Sequence, residues 1–191
     1  MVLKVSKRIK KNKAVFLDRD GTIIFEKPGV YLADPKKVIL YKNTLAGLKK
    51  LYNAGYKLFV ISNQSGIGRG YFTAKETQAV NHRLCQLFRP VRFDEIVFCP
   101  HAPNEACSCR KPLPKLGLQL IKKYHIDPKR SFMVGDKKSD VDFGHALGCK
   151  SILVKTANGP KHLKKYPDLK PDFVASDLLR AAHFILQEES L

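Results

Sequence analysis

Two carboxylates separated by one residue, Asp18 and Asp20, stand where a short apolar run, Ala14 to Leu17, gives way to Gly21 and Thr22. With that spacing both acids can face one cavity while Gly21 lets the chain turn away. A carboxylate can attack phosphorus once a hard divalent cation screens the charge repulsion, and Mg²⁺ prefers oxygen ligands. The expected roles are nucleophile for Asp18 and general acid/base for Asp20, which would protonate the leaving alkoxide and then activate the water that cleaves the acyl-phosphate. Taken alone, an Asp-x-Asp-Gly string is as compatible with a plain loop or a calcium site.

Three further strings carry matching chemistry. Ser62-Asn63-Gln64-Ser65-Gly66-Ile67-Gly68-Arg69-Gly70 follows a second apolar run, with a hydroxyl at the strand tip and glycines whose backbone N–H groups can face phosphate oxygens. Arg110-Lys111-Pro112 offers a lysine able to neutralise both nucleophile and phosphate. Gly135-Asp136-Lys137-Lys138-Ser139-Asp140 sets an acidic pair after another strand, although Asp140 alone also reads as a helix N-cap. A separate constellation, Cys99-Pro100-His101 and Cys107-Ser108-Cys109, pairs soft ligands as Cys-x-His and Cys-x-Cys, which suits a closed, structural Zn²⁺ site with no catalytic water. Its expected task is to pin the loop that delivers Arg110 and Lys111. Cys85 and Cys149 read as plain buried residues.

The elements that must position these residues alternate. Apolar runs at Ala14–Leu17, 56–61, 95–98, 132–134, 151–154 and 173–175 read as strands. Helical periods run through Leu45, Leu48 and Leu51, and over 75–88, 116–124 and 141–147, with a closing helix capped by Asp177 and running through Leu186. Short buried strands alternating with helices predict a Rossmann-like, three-layer α/β/α fold around a parallel sheet, with the polar residues just after the strands. The domain is expected over 14–191 with an inserted zinc loop at 99–109, and residues 1–13 form a basic, disordered arm.

Asp18 to Thr22, Ser62, Lys111 and Gly135-Asp136 occur in the order and context of the four motifs of the haloacid-dehalogenase superfamily, which the chain resembles over about Ala14 to Gly159. The resemblance implies Asp18 as nucleophile, Asp20 as general acid/base, and Ser62 and Lys111 as phosphoryl binders. It further implies Asp136 as a Mg²⁺ ligand beside Asp18 and the backbone carbonyl of Asp20, with Asp140 behind them. The zinc loop followed by Arg-Lys-Pro is similar to that of the D-glycero-D-manno-heptose 1,7-bisphosphate phosphatase and histidinol-phosphatase family, whose members lack a large cap domain. Asn63 to Thr73 looks more like the heptose enzymes, whereas the short stretch between His101 and Cys107 looks more like the histidinol branch. Without a cap, specificity falls to loops at Glu26–Tyr31, Gln64–Arg69 and the zinc loop. Substrate contacts are expected from Ser62, Asn63, Gln64, Arg69, Arg110, Lys111 and Lys137, with Arg69 and Arg110 seating a second phosphate.

The implied function is hydrolysis of the 7-phosphate of the heptose bisphosphate through an aspartyl-phosphate. The alternatives are histidinol phosphate hydrolysis and, further off, a nucleic-acid 3′-phosphatase, because the phosphatase domain of polynucleotide kinase has a similar aspartate motif. The formal net charge of +18 over 191 residues makes a field that attracts anions. The basic residues are scattered and lack an aromatic stacking pattern, which favours a small phosphorylated substrate over nucleic acid. No apolar stretch reaches the roughly 20 residues of a membrane span, and the first apolar run is too short for a secretory signal. A cytoplasmic monomer is expected.

Overall fold

A computed structural model describes residues 11–27 and 29–189, so the first ten residues of the expected arm lie outside the described residues. The end of that arm belongs to the domain: the Asn12 N–H donates to the His125 carbonyl at 2.8 Å, and the Lys13 carbonyl accepts from the Lys57 N–H at 3.0 Å.

Six strands form one parallel sheet: β1 (Ala14–Leu17), β2 (Lys57–Asn63), β3 (Glu95–Cys99), β4 (Phe132–Gly135), β5 (Lys150–Val154) and β6 (Phe173–Ala175). Their order is β3-β2-β1-β4-β5-β6, and in register Phe16 lies beside Phe59 on one side and Met133 on the other. Alternate residues of β1 feed two cores because successive side chains on a strand point to opposite faces. Val15 and Leu17 pack with Leu48, Leu51, Leu84 and Ile185, while Ala14 and Phe16 pack with Phe59, Leu120, Met133 and Phe143. The first face is covered by α1 (Thr44–Asn53), α3 (Ala74–Leu87) and α7 (Leu178–Glu188), and the second by α4 (Lys115–Lys123) and α5 (Lys138–Ala146). Each large apolar side chain so buried contributes roughly 1.5–3 kcal/mol. A capping box begins α3: Glu76 accepts from the Thr73 N–H at 2.7 Å, and Thr73 Oγ1 accepts from the Glu76 N–H at 3.2 Å.

The strand runs fall where the sequence places them, and two helices do not. The glycine-rich segment read as a loop contains α2 (Ser65–Gly68), and α6 (Gly159–Lys165) follows β5. The first is one turn with two glycines and no periodicity; the second carries Pro160 in its first turn, a start signal that could have revealed it. Helix α5 begins at Lys138, not Val141, because its first turn is polar and gives no periodic cue. Cys85 is exposed on α3, against the expectation of burial, while Cys149 is buried. Among the described residues between Asp20 and Ser62 the helical and strand elements are a 3₁₀ turn (Pro35–Lys37), α1 and β2, and no cap domain is inserted among them. Among the described residues, no helix is long and apolar enough to cross a membrane.

Candidate active site

The strand order reverses between β1 and β4, and a crevice opens there beyond the strands' C-terminal ends. Asp18 leaves β1 into that crevice, its N–H donating to the Val134 carbonyl at 2.9 Å. Gly21 then turns the chain with φ +94°, and a Cβ there would lie 2.5 Å from Asp136 Oδ2. The glycine is required on both counts: for the backbone conformation, and for the close approach of the two acidic loops.

Asp18, Asp136 and Asp140 are all buried and offer carboxylate oxygens within 4.8 Å of one another. Asp136 Oδ2 accepts from the Asn158 N–H at 3.0 Å and its side-chain amide at 2.9 Å, whereas buried Oδ1 has no partner among the described residues. Burial, reinforced by the charges of Asp18 and Asp140 against the pull of Lys137, pushes Asp136 up to about 7. Burial also raises Asp18, with Asp140 adding to it and Lys111 opposing it. Like charges crowded out of water at a strand end are costly unless a cation completes them.

Lys111 is that cation in part. Its Nζ donates to Asp18 Oδ1, Asp140 Oδ1 and the Ile61 carbonyl, each at 2.7 Å. Burial alone would lower its pKa, but the two carboxylates outweigh it and hold the lysine charged. Asn63 fixes the lysine's backbone from both sides: its amide donates to the Lys111 carbonyl at 3.1 Å, and its Oδ1 accepts from the Lys111 N–H at 3.0 Å. An expected substrate contact thus acts in this structure as a clamp on Lys111.

Asp20 is held by one oxygen. Its Oδ2 accepts from Gln64 Nε2 at 2.7 Å and Arg19 Nε at 3.1 Å, with Arg19 Nη2 at 2.9 Å. Burial raises its pKa, but the Arg19 charge and the bonds from Arg19 and Gln64 prevail and leave it lowered. Lys137 pairs with Glu26 at 3.0 Å, and the Asn158 amide donates to the same Glu26 oxygen at 3.0 Å.

A pocket of about 810 Å³ opens above these groups. Asp18, Asp20, Ser62, Asn63, Gln64, Arg110, Lys111 and Lys137 all line it, as does the 25–39 segment with Lys27, Lys36 and Lys37. Arg69 does not line it: after the α2 turn it is exposed outside. Asn158 and Arg19 are given no role by the sequence, and Glu26 enters only as the start of a specificity loop, because each acts on a residue that spacing alone does not pair with it.

Beside the pocket, Cys99, His101, Cys107 and Cys109 present four ligand atoms within 4.8 Å of one another. The Cys99 sulfur lies 3.8 Å from that of Cys107 and 3.5 Å from His101 Nδ1. Metal–ligand bonds of about 2.0–2.3 Å in a tetrahedron put ligand atoms roughly 3.3–3.8 Å apart. Cys109 approaches Cys99 at 3.0 Å, too far for a disulfide. The Arg110 guanidinium donates to the His101 carbonyl at 3.3 Å, so the cluster's loop is tied to a pocket residue.

The HAD-hydrolase-like family model matches residues 108–181. A Helicobacter pylori protein named D-glycero-beta-D-manno-heptose-1,7-bisphosphate 7-phosphatase is 43% identical over 150 residues, covering 77% of this chain and 86% of its own. A Chlorobaculum tepidum protein named D-glycero-D-manno-heptose-1,7-bisphosphate 7-phosphatase is 34% identical, covering 88% and 92%. The solved D,D-heptose 1,7-bisphosphate phosphatase of B. bronchiseptica, complexed with magnesium and phosphate, superposes with a TM-score of 0.84 at 30% identity, covering 92% of this chain and 99% of its own. With the crevice, the acidic cluster and the Cys/His loop already in place, these similarities show that the chain belongs to the family of haloacid-dehalogenase-like hydrolases that contains the heptose-bisphosphate phosphatases.

Proposed function

We propose that the chain hydrolyses the 7-phosphate of D-glycero-D-manno-heptose 1,7-bisphosphate through an aspartyl-phosphate on Asp18. The observation that carries this reading is the buried Asp18, seated between Lys111 and the Asp136 loop on the floor of an uncapped pocket. The choice of sugar is supported by the names of the relatives.

Asp18, Asp136 and the backbone carbonyl of Asp20 are the groups that would hold Mg²⁺. They form an all-oxygen set, as a hard cation prefers, and Asp136 Oδ1 is buried without a partner among the described residues. When bound, the ion screens the phosphate's charge from the attacking carboxylate. Asp18 forms an O–P bond as the P–O bond to the sugar breaks; Asp20, held ionised in the free site by Arg19 and Gln64, takes up a proton as the negatively charged phosphate binds beside it and passes that proton to the departing alkoxide. Asp20 then takes a proton from the water that attacks phosphorus, which frees Asp18 and inorganic phosphate. Lys111 and Ser62 hold the non-reacting phosphoryl oxygens. Zn²⁺ suits the Cys99, His101, Cys107 and Cys109 set as a structural ion that fixes Arg110 and Lys111. Thiol ligands of this kind persist in a reducing compartment, which supports a cytoplasmic setting.

A screen of the heptose bisphosphate, histidinol phosphate and a 3′-phosphorylated oligonucleotide tests the assignment. The bisphosphate should give the highest kcat/KM with the 1-phosphate retained, and faster turnover of histidinol phosphate would overturn it. Arg110, the one expected second-phosphate arginine that reaches the pocket, should matter only when that phosphate is present. Arg110→Ala should raise KM for the bisphosphate about tenfold to a hundredfold and leave para-nitrophenyl phosphate nearly unchanged.

The metals give two further expectations. In the metal-free protein Asp136 is protonated up to about pH 7, well above the range of an unfolded aspartate. The folded state therefore binds more protons, and its stability falls as pH rises from about 4 through 7. Magnesium needs the ionised carboxylate, so it should raise Tm clearly at pH 8 and little at pH 5; an equal rise at both would contradict this. Metal analysis should find one zinc per chain, and Cys109→Ser should lower activity while far-UV circular dichroism stays near that of the parent. Loss of all secondary structure would mean that the zinc supports the whole domain.

A further inference from the structure

Arg19 lies between the two catalytic aspartates in sequence, yet only 1% of it is exposed, which makes it the largest fully buried side chain among the described residues. A buried guanidinium needs its donors satisfied. Its Nη1 donates to Asn81 Oδ1 at 2.8 Å, and Asn81, itself buried, comes from the middle of α3 and does not line the pocket. The opposite edge of the guanidinium, Nε and Nη2, meets Asp20 at 3.1 and 2.9 Å. Both contacts fall on Oδ2; Nε donates a hydrogen bond to it, whereas Nη2 makes an ion pair without an aligned hydrogen bond, and the same oxygen accepts from Gln64 Nε2 at 2.7 Å and Ser62 Oγ at 3.5 Å. No hydrogen bond to Asp20 Oδ1 occurs among the described residues, so Arg19, Gln64 and Ser62 all act on one oxygen and leave the other to the pocket that Asp20 lines.

We infer that Asn81 is a positioning residue for proton transfer: by holding Arg19 it fixes the plane of the Asp20 carboxylate, and so aims Oδ1 at the leaving oxygen. The inference rests on the reading of Asp20 as the proton donor, and is independent of which phosphate ester is the natural substrate. Without Asn81 the guanidinium can rotate about its last torsions, and a carboxylate misplaced by about 1 Å transfers protons far less well.

The leaving group provides the test. An alkyl phosphate needs a proton on its departing oxygen, whereas para-nitrophenolate departs well without one. In single-turnover cleavage, Asn81→Leu should slow an alkyl ester such as glycerol 3-phosphate about tenfold to a hundredfold, and para-nitrophenyl phosphate by no more than about threefold. The ratio of the two rates does not depend on how much of the variant is folded. Asn81→Asp, which keeps an acceptor of the same reach, should restore most of the alkyl-ester rate. Equal losses on both esters, or no rescue by Asn81→Asp, would reduce Asn81 to a packing residue. Asp20→Asn, measured in parallel, should show the same bias more strongly. If it does not, the reading of Asp20 itself fails; if it does while Asn81→Leu does not, only the role of Asn81 falls.

Discussion

Asp18→Asn is expected to lower steady-state hydrolysis by at least about four orders of magnitude, because an amide oxygen cannot form the acyl-phosphate. The fold should survive. Asp18 is one of the charges that, after burial, push Asp136 up, so its neutral replacement relieves the crowding. The metal-free variant should therefore melt no lower than the parent at pH 8, and Mg²⁺ should raise its Tm less. Kinetics on freshly purified protein and melting curves in EDTA check both parts. Turnover within a hundredfold of the parent would remove Asp18 from the nucleophile's role.

Lys111→Met is expected to damage stability as well as rate. The lysine is 3% exposed and is ion-paired at 2.7 Å to both Asp18 and Asp140. Removing one partner of a buried ionic cluster leaves uncompensated charge and costs about 3–5 kcal/mol. The loss has a definite pH dependence. Asp18 is already raised by burial, and without the lysine's opposing pull it rises further, so the variant's folded state binds protons that the unfolded chain has released. Its stability should drop as pH rises above the ordinary aspartate range, making the penalty larger at pH 8 than at pH 5. Urea midpoints at the two pH values measure it; a penalty independent of pH would mean that packing, not charge, is what Lys111 supplies.

The strands were legible because the four central ones, β1, β2, β4 and β5, are buried on both faces along most of their length, and even the half-buried edge strands β3 and β6 keep short apolar runs. The site residues were legible because a parallel sheet places its chemistry just beyond those runs, where Asp18 and Asp136 stand. What spacing could not give were partnerships made by long-range packing: Asn158 on Asp136, Glu26 on Lys137, Asn81 on Arg19. Arg69 departs in the other direction. The glycine-rich string delivers Ser62, Asn63 and Gln64 to the pocket, but one turn of helix then carries the arginine away.

The ammonium of Lys111 has three hydrogens, and Asp18, Asp140 and the Ile61 carbonyl hold all three. A phosphate can be gripped by this lysine only through exchange, and the three holders do not release with equal ease. Asp140 forms no bond to the substrate in the proposed mechanism, and the Ile61 carbonyl is fixed in β2. In the proposed mechanism Asp18 alone gives up its negative charge as it bonds to phosphorus. The hydrogen it held then becomes free to follow the charge onto the phosphoryl oxygens. The lysine's grip on the phosphate therefore tightens as the O–P bond forms and is weakest on the substrate before reaction, which is the order that lowers a barrier instead of deepening the well before it.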